Sequence, residues 1–76
     1  MIDVRLYANL TRTSGEGATE FQVKARPGLT VKDVVDEGGV RAQDVSMIIV
    51  NGSGAGLECP LSDGDRLGLF PAISGG

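Results

Sequence analysis

The residues best placed to do chemistry in this chain are its last two, Gly75-Gly76, which present a carboxylate on a backbone with no side chains. Lacking Cβ atoms, they adopt almost any backbone angle and pass through slots too narrow for other residues. Residues 72–76, extended at about 3.3–3.6 Å each, span roughly 17 Å, enough to carry Gly76 through the wall of another protein's active site. A carboxylate is nonetheless a poor electrophile, because its charge is delocalised and its leaving group would be oxide. It must be activated by another catalyst. Glycine makes up 12 of the 76 residues, so the pair alone is a weak sign, and a glycine-ended terminus is also the common frayed end of a domain.

The remaining side chains offer less. Cys59 stands between Glu58 and Pro60 with no adjacent cation to stabilise a thiolate, which favours a packed, inert thiol over a covalent link to a partner. One cysteine forms no internal disulfide, and with no histidine the usual zinc and transition-metal ligand sets cannot be assembled, so no metal is expected. The absence of histidine also removes Ser-His and Cys-His nucleophile pairs. Asp33, Asp36, Glu37, Asp63 and Asp65 read as a solvated acidic face, and Asp63-Gly64-Asp65 as turn chemistry. A net charge of −3 and only two lysines, Lys24 and Lys32, argue against nucleic acid. That acidity suits either a basic patch on a protein partner or solubility alone.

Positioning a terminal carboxylate requires a compact body. Ile2, Val4 and Leu6 alternate with polar residues as one face of a strand, in a run read as Ile2 to Ala8. After turn residues Thr13 to Gly17, a second alternating run from Thr19 to Ala25 turns Phe21, Val23 and Ala25 inward, so the two make a hairpin. Thr30, three residues before Asp33, marks a helix start; Val31, Val34 and Val35 share its inner face, and Gly38-Gly39 ends it. Met47-Ile48-Ile49-Val50 reads as a central strand buried on both faces. Asn51-Gly52 turns the chain, Ser53 to Gly56 reads as a loose loop, and Leu57 to Cys59 as a short edge strand stopped by Pro60. Leu61 is expected in the core. A last strand, Arg66 to Phe70, places Leu67 and Leu69 on one face and Phe70 on the other, with Pro71 discouraging further pairing.

The order strand, strand, helix, strand, short strand, strand gives an α+β domain with a mixed sheet of four to five strands and one short helix on one face. Residues 1–71 form this single domain and residues 72–76 a flexible, extended tail. Seventy-six residues allow one small core and no cleft between domains. No apolar run approaches the ~20 residues that span a bilayer and no signal peptide is evident at Met1 to Arg5, so a cytoplasmic protein without membrane contact is expected.

This order resembles the ubiquitin-like β-grasp fold. Val4-Arg5-Leu6-Tyr7-Ala8-Asn9-Leu10, Ile49-Val50-Asn51-Gly52, Pro60-Leu61-Ser62-Asp63-Gly64-Asp65-Arg66-Leu67 and Phe70-Pro71-Ala72-Ile73-Ser74-Gly75-Gly76 are similar to the MoaD/ThiS sulfur-carrier family, and the Phe-Pro before the tail looks more like MoaD, the small subunit of molybdopterin synthase. The short helix broken by Gly38-Gly39 and the glycine-rich loop at Ser53 to Gly56 depart from that pattern. A ThiS-like carrier for thiamin thiazole, a tungsten-pterin or another sulfur route, and a ubiquitin-like modifier conjugated through Gly76 all remain open.

The resemblance implies a non-catalytic chain. An E1-like enzyme uses ATP to adenylate Gly76, a sulfur donor converts the adenylate to a thiocarboxylate, and the large subunit of molybdopterin synthase, or an analogous acceptor enzyme, receives the sulfur. This chain binds no cofactor of its own. Gly75 and Gly76 carry the reaction, Ile73 and Ser74 thread the partner's channel, and Phe70, Pro71 and Tyr7 form the docking surface. The simpler role for Phe70 is to cap the core.

Overall fold

The computed structural model describes residues 1–7 and 19–71. Strands β1 (Ile2–Leu6), β2 (Glu20–Val23), β3 (Val45–Val50), β4 (Ser53–Ala55) and β5 (Arg66–Pro71) form one sheet in the order β2-β1-β5-β3-β4. The helix α1 (Val31–Glu37) and a 3₁₀ turn, Ala42–Asp44, complete the described elements. β1 pairs with β5 in parallel, and the other three pairs are antiparallel, so the sheet is mixed. The expected β-grasp arrangement is present. The first strand ends at Leu6 before Tyr7, with Ala8 outside the described residues, and the second spans Glu20–Val23 where Thr19 to Ala25 was expected.

The core lies between α1 and one face of the sheet. Period-two alternation in β1 and β5 places Ile2, Val4, Leu6, Leu67 and Leu69 on that face, each at most 3 % exposed. Val31, Val34 and Val35 of α1 are fully buried against them, each fully buried aliphatic side chain contributing about 1.5–3 kcal/mol relative to its exposed state. Valines are poor helix formers in isolation, so this packing, together with good caps, holds the short helix. Phe21 and Val23 are half-buried against the same core, and Leu61 is buried within it.

Both ends of α1 are as the sequence indicates. The Thr30 hydroxyl accepts from the Asp33 amide and the Asp33 carboxylate accepts from the Thr30 amide at 3.0 Å, a reciprocal capping box. Gly39 takes the left-handed conformation at φ +76°, while Gly38 is glycine for space: a Cβ there would stand 2.5 Å from the Phe21 ring.

Three readings are corrected. Ser53 to Gly56 is not a loose loop, because Ser53–Ala55 form β4. Asn51 and Gly52, at φ +51° and +85°, make the two-residue turn of type I′ that brings Ser53 opposite Val50. Leu57 to Cys59 is not an edge strand; the Leu57 and Cys59 carbonyls instead accept from the Lys32 and Val31 amides, satisfying the first turn of α1. Pro60 pairs with Thr30 in an isolated antiparallel bridge whose flanking bonds run from Val31 and Leu61, so its missing N–H is not needed. Finally, β3 is covered on one face only: Ile48 is 8 % exposed and Met47 55 %. Among the described residues α1 supplies the one α-helical layer, and none of them covers the other face of the sheet.

Candidate functional site

The open face is built by the outward positions of four strands. In register across β2, β1, β5 and β3 lie Gln22, Asp3 and Arg66 in one row, and Glu20, Arg5, Gly68 and Ile49 in the next. Beyond them Phe70 stands opposite Met47, and Tyr7 follows directly after β1. Polar residues gather toward β2, and an apolar patch of Tyr7, Phe70, Met47 and Ile49 covers the β5–β3 side.

Tyr7 and Phe70 are 63 positions apart, yet the parallel β1–β5 pairing, continued by the Tyr7 amide donating to the Leu69 carbonyl at 3.0 Å, sets them side by side. Their rings stack with centroids 4.3 Å apart and planes 4° from parallel. Tyr7 is 38 % exposed and Phe70 half-buried. Leu67 and Leu69 point into the core, so Phe70 points away from it, and a core-capping role for Phe70 is overturned by the register.

The polar side is tied down by neutralising contacts. Arg5 Nη2 donates to Glu20 Oε1 at 2.8 Å and Gln22 Nε2 to Asp3 Oδ1 at 2.6 Å. The hydrogen bond to Glu20, then the one with Tyr7, raises the Arg5 pKa above its ordinary range. Exposed pairs of this kind add little stability.

The start of β5 is held by Asn51. Its Oδ1 accepts from the Arg66 amide at 3.0 Å, its Nδ2 donates to Asp65 Oδ1 at 2.9 Å, and its amide donates to the Arg66 carbonyl at 2.9 Å. Asp65 Oδ2 accepts from the Ser62 amide at 2.8 Å; this bond first, and that from Asn51 second, hold its carboxyl below the usual range. The turn Asp63-Gly64-Asp65 therefore sets the start of the strand that delivers Phe70 and Pro71. β5 runs through Pro71, which pairs with Val45, one residue further than expected.

Of the site residues expected from sequence, Tyr7 and Phe70 meet directly and Pro71 follows at the end of the same strand. Ile73, Ser74, Gly75 and Gly76 lie outside the described residues. Cys59 is half-buried against the core, its thiol 3.5 Å from the Pro60 carbonyl and away from the open face. Sequence reasoning missed Met47, Ile49 and Gly68 as parts of this surface. Counting back by twos from Phe70 would have found Gly68; Met47 and Ile49 were hidden by reading their run as buried on both sides. Among the described residues no helix is long and apolar enough to cross a membrane.

Comparison with known proteins places this geometry among small ubiquitin-like chains. The family model described as Mut7-C ubiquitin matches residues 1–75. SAMP1 from Haloferax volcanii is 25 % identical over 99 % of this chain and 98 % of its own, with a TM-score of 0.69. The complex of subunits 1 and 2 of molybdopterin-converting factor from Helicobacter pylori contains a chain 26 % identical over 99 % of this one and 97 % of its own, with a TM-score of 0.62. A molybdopterin converting factor subunit 1 from Pyrococcus furiosus shares the fold at 23 % identity and a TM-score of 0.69, covering 95 % of this chain and 97 % of that one. No curated protein matches the sequence at a significant level.

Proposed function

The chain belongs to the Mut7-C ubiquitin family, and from that premise we propose that it is a sulfur carrier, closest in role to the small subunit of molybdopterin synthase. The observation that carries this reading is the stacked Tyr7–Phe70 pair on an uncovered sheet face, at the end of the strand whose sequence continues through Pro71 to Gly75-Gly76. The likeness to one chain of the Helicobacter pylori two-subunit complex supports a large-subunit partner.

In this reading Gly76 is the last residue. One of its carboxylate oxygens attacks the α-phosphorus of ATP on an E1-like enzyme and pyrophosphate leaves. Hydrosulfide then attacks the acyl carbon, AMP leaves and loss of a proton yields the thiocarboxylate; a persulfide donor would instead leave an acyl disulfide, whose S–S bond a thiol reductant cleaves by forming a disulfide with the donor's remaining sulfur. Its sulfur, softer and more nucleophilic than oxygen, attacks a precursor bound to the large subunit. The catalytic groups belong to the partners, and this cytoplasmic chain binds no cofactor itself. Exposed aromatic residues commonly anchor interfaces, so Tyr7, Phe70 and Pro71 dock while Ile73 and Ser74 thread the partner's channel. A thiamin-thiazole or tungsten-pterin route would use the same steps with another acceptor.

The likeness to SAMP1, described as a small archaeal modifier protein, favours a second reading: the same adenylate captured by a lysine amine of another protein. Intact mass of the untagged protein, purified with its cognate sulfur machinery, separates the two. Replacement of one terminal oxygen by sulfur supports the carrier, adducts on cellular proteins support the modifier, and a mass that stays unmodified removes both.

A further inference from the structure

Gly68 occupies the middle of β5, which is itself the middle strand of the sheet. Glycine weakens a strand, because it loses more backbone freedom on folding and packs no side chain. Its backbone gives no reason for the choice: Gly28, Gly39, Gly52 and Gly64 are at positive φ and Gly68 is not. The core gives none either, since position 68 faces outward, between Leu67 and Leu69, which are buried.

The crowding comes from the surface. A Cβ built at Gly68 would stand 3.0 Å from Cε2 and 3.8 Å from Cδ2 of Tyr7, and 3.6 Å from Cε1 of Phe70. The Tyr7 ring turns its Cδ2–Cε2 edge toward Gly68 and its face toward Phe70. Any side chain there would lift that ring, and because Tyr7 is 38 % exposed, solvent would receive it without disturbing the core.

We propose that Gly68 is a positioning residue, a bare seat that lets the edge of the Tyr7 ring come down onto β5 so that its face stacks on Phe70 as a preorganised aromatic platform. What the platform is for rests on the docking reading above: a partner that meets one fixed ring arrangement does not bear the cost of ordering two side chains. The seat itself is a property of the free protein and is tested there.

Tyr7 is the single tyrosine and the chain has no tryptophan, so near-ultraviolet circular dichroism in the tyrosine band reports on this ring alone. Gly68→Val and Tyr7→Ala are made singly and together, and each is unfolded in urea. With Tyr7 present, Gly68→Val is expected to remove most of the tyrosine dichroism and to lower the urea midpoint. With Tyr7→Ala, the same valine is expected to raise the midpoint, as a β-branched residue in a strand ordinarily does. If Gly68→Val alone does not fold, its rescue by Tyr7→Ala supports the proposal. Unchanged tyrosine dichroism in folded Gly68→Val overturns it, and so does an equal loss of stability with and without Tyr7. The docking reading fails separately, if Tyr7→Ala and Phe70→Ala both bind the large subunit as the wild type does.

Discussion

The rings of Tyr7 and Phe70 lie face to face, 4.3 Å between centroids and 4° from parallel, on the side of the sheet that α1 does not cover. Aromatic pairs add about 0.5–1.5 kcal/mol beyond the area they bury. That is too little to account for holding two rings on an uncovered face, and the pair makes better sense as a contact surface.

Neighbouring residues in β5 should therefore respond in opposite ways. Phe70→Ala is expected to weaken binding of the large subunit by about 2 kcal/mol, roughly thirtyfold, with a smaller loss of folding stability. Leu69→Ala, at a fully buried position, should lower stability by about 2–5 kcal/mol. Calorimetric titration and urea unfolding of both variants decide it. A Phe70→Ala binding loss no larger than its folding loss would return Phe70 to a structural role.

At the chain's end, Gly76→Ala should slow adenylation by about 100-fold, because a methyl beside the reacting carbonyl displaces it from in-line geometry. Pyrophosphate exchange with the activating enzyme measures this. Near-wild-type exchange contradicts the proposed role of Gly76.

Acid should weaken the fold through two carboxylates. Asp33, through the Thr30 amide and then its hydroxyl, and Asp65, through the Ser62 amide and then Asn51, are held below their ordinary value of 3.8. A lowered folded pKa contributes stability that is full above the unfolded value and is lost as pH falls through the folded one. Urea midpoints should be flat above about pH 5 and decline below it. Asp33→Asn and Asp65→Asn together should flatten the decline; an unaltered profile would show that other groups cause it.

The β3–β4 hairpin offers a paired test of two glycines. Gly52→Ala places a Cβ at φ +85° and should cost about 1–2 kcal/mol. Gly54→Ala, with nothing within 4 Å and no positive φ, should stay within about 0.5 kcal/mol. Thermal unfolding of the two variants is sufficient, and equal effects would contradict the type I′ turn.

Local patterns made much of this legible. Alternation along Ile2 to Leu6 and Leu67 to Leu69 gave the core face, and Thr30, Asp33 and Gly39 gave the helix ends. What failed depended on partners distant in sequence. Ser53–Ala55 has poor strand propensity and is paired because Asn51-Gly52 folds it back on β3, a signal present in the sequence but weighed below composition. Leu57 to Cys59 looked like a strand, yet its carbonyls are taken by the amides of α1. Met47 looked buried because a run of apolar residues does not say how many layers the chain can supply. Phe70 could be turned outward from sequence alone, but its stack on Tyr7 needed the β1–β5 pairing.

That pairing has a consequence for synthesis. β5 is the last described element to be made, and it is the strip that joins β1-β2 to β3-β4. Until Arg66 to Pro71 have been made, the β1–β2 and β3–β4 pairs have no strand between them and no continuous sheet exists. A translation product interrupted before β5 therefore lacks the aromatic platform and the continuous sheet together.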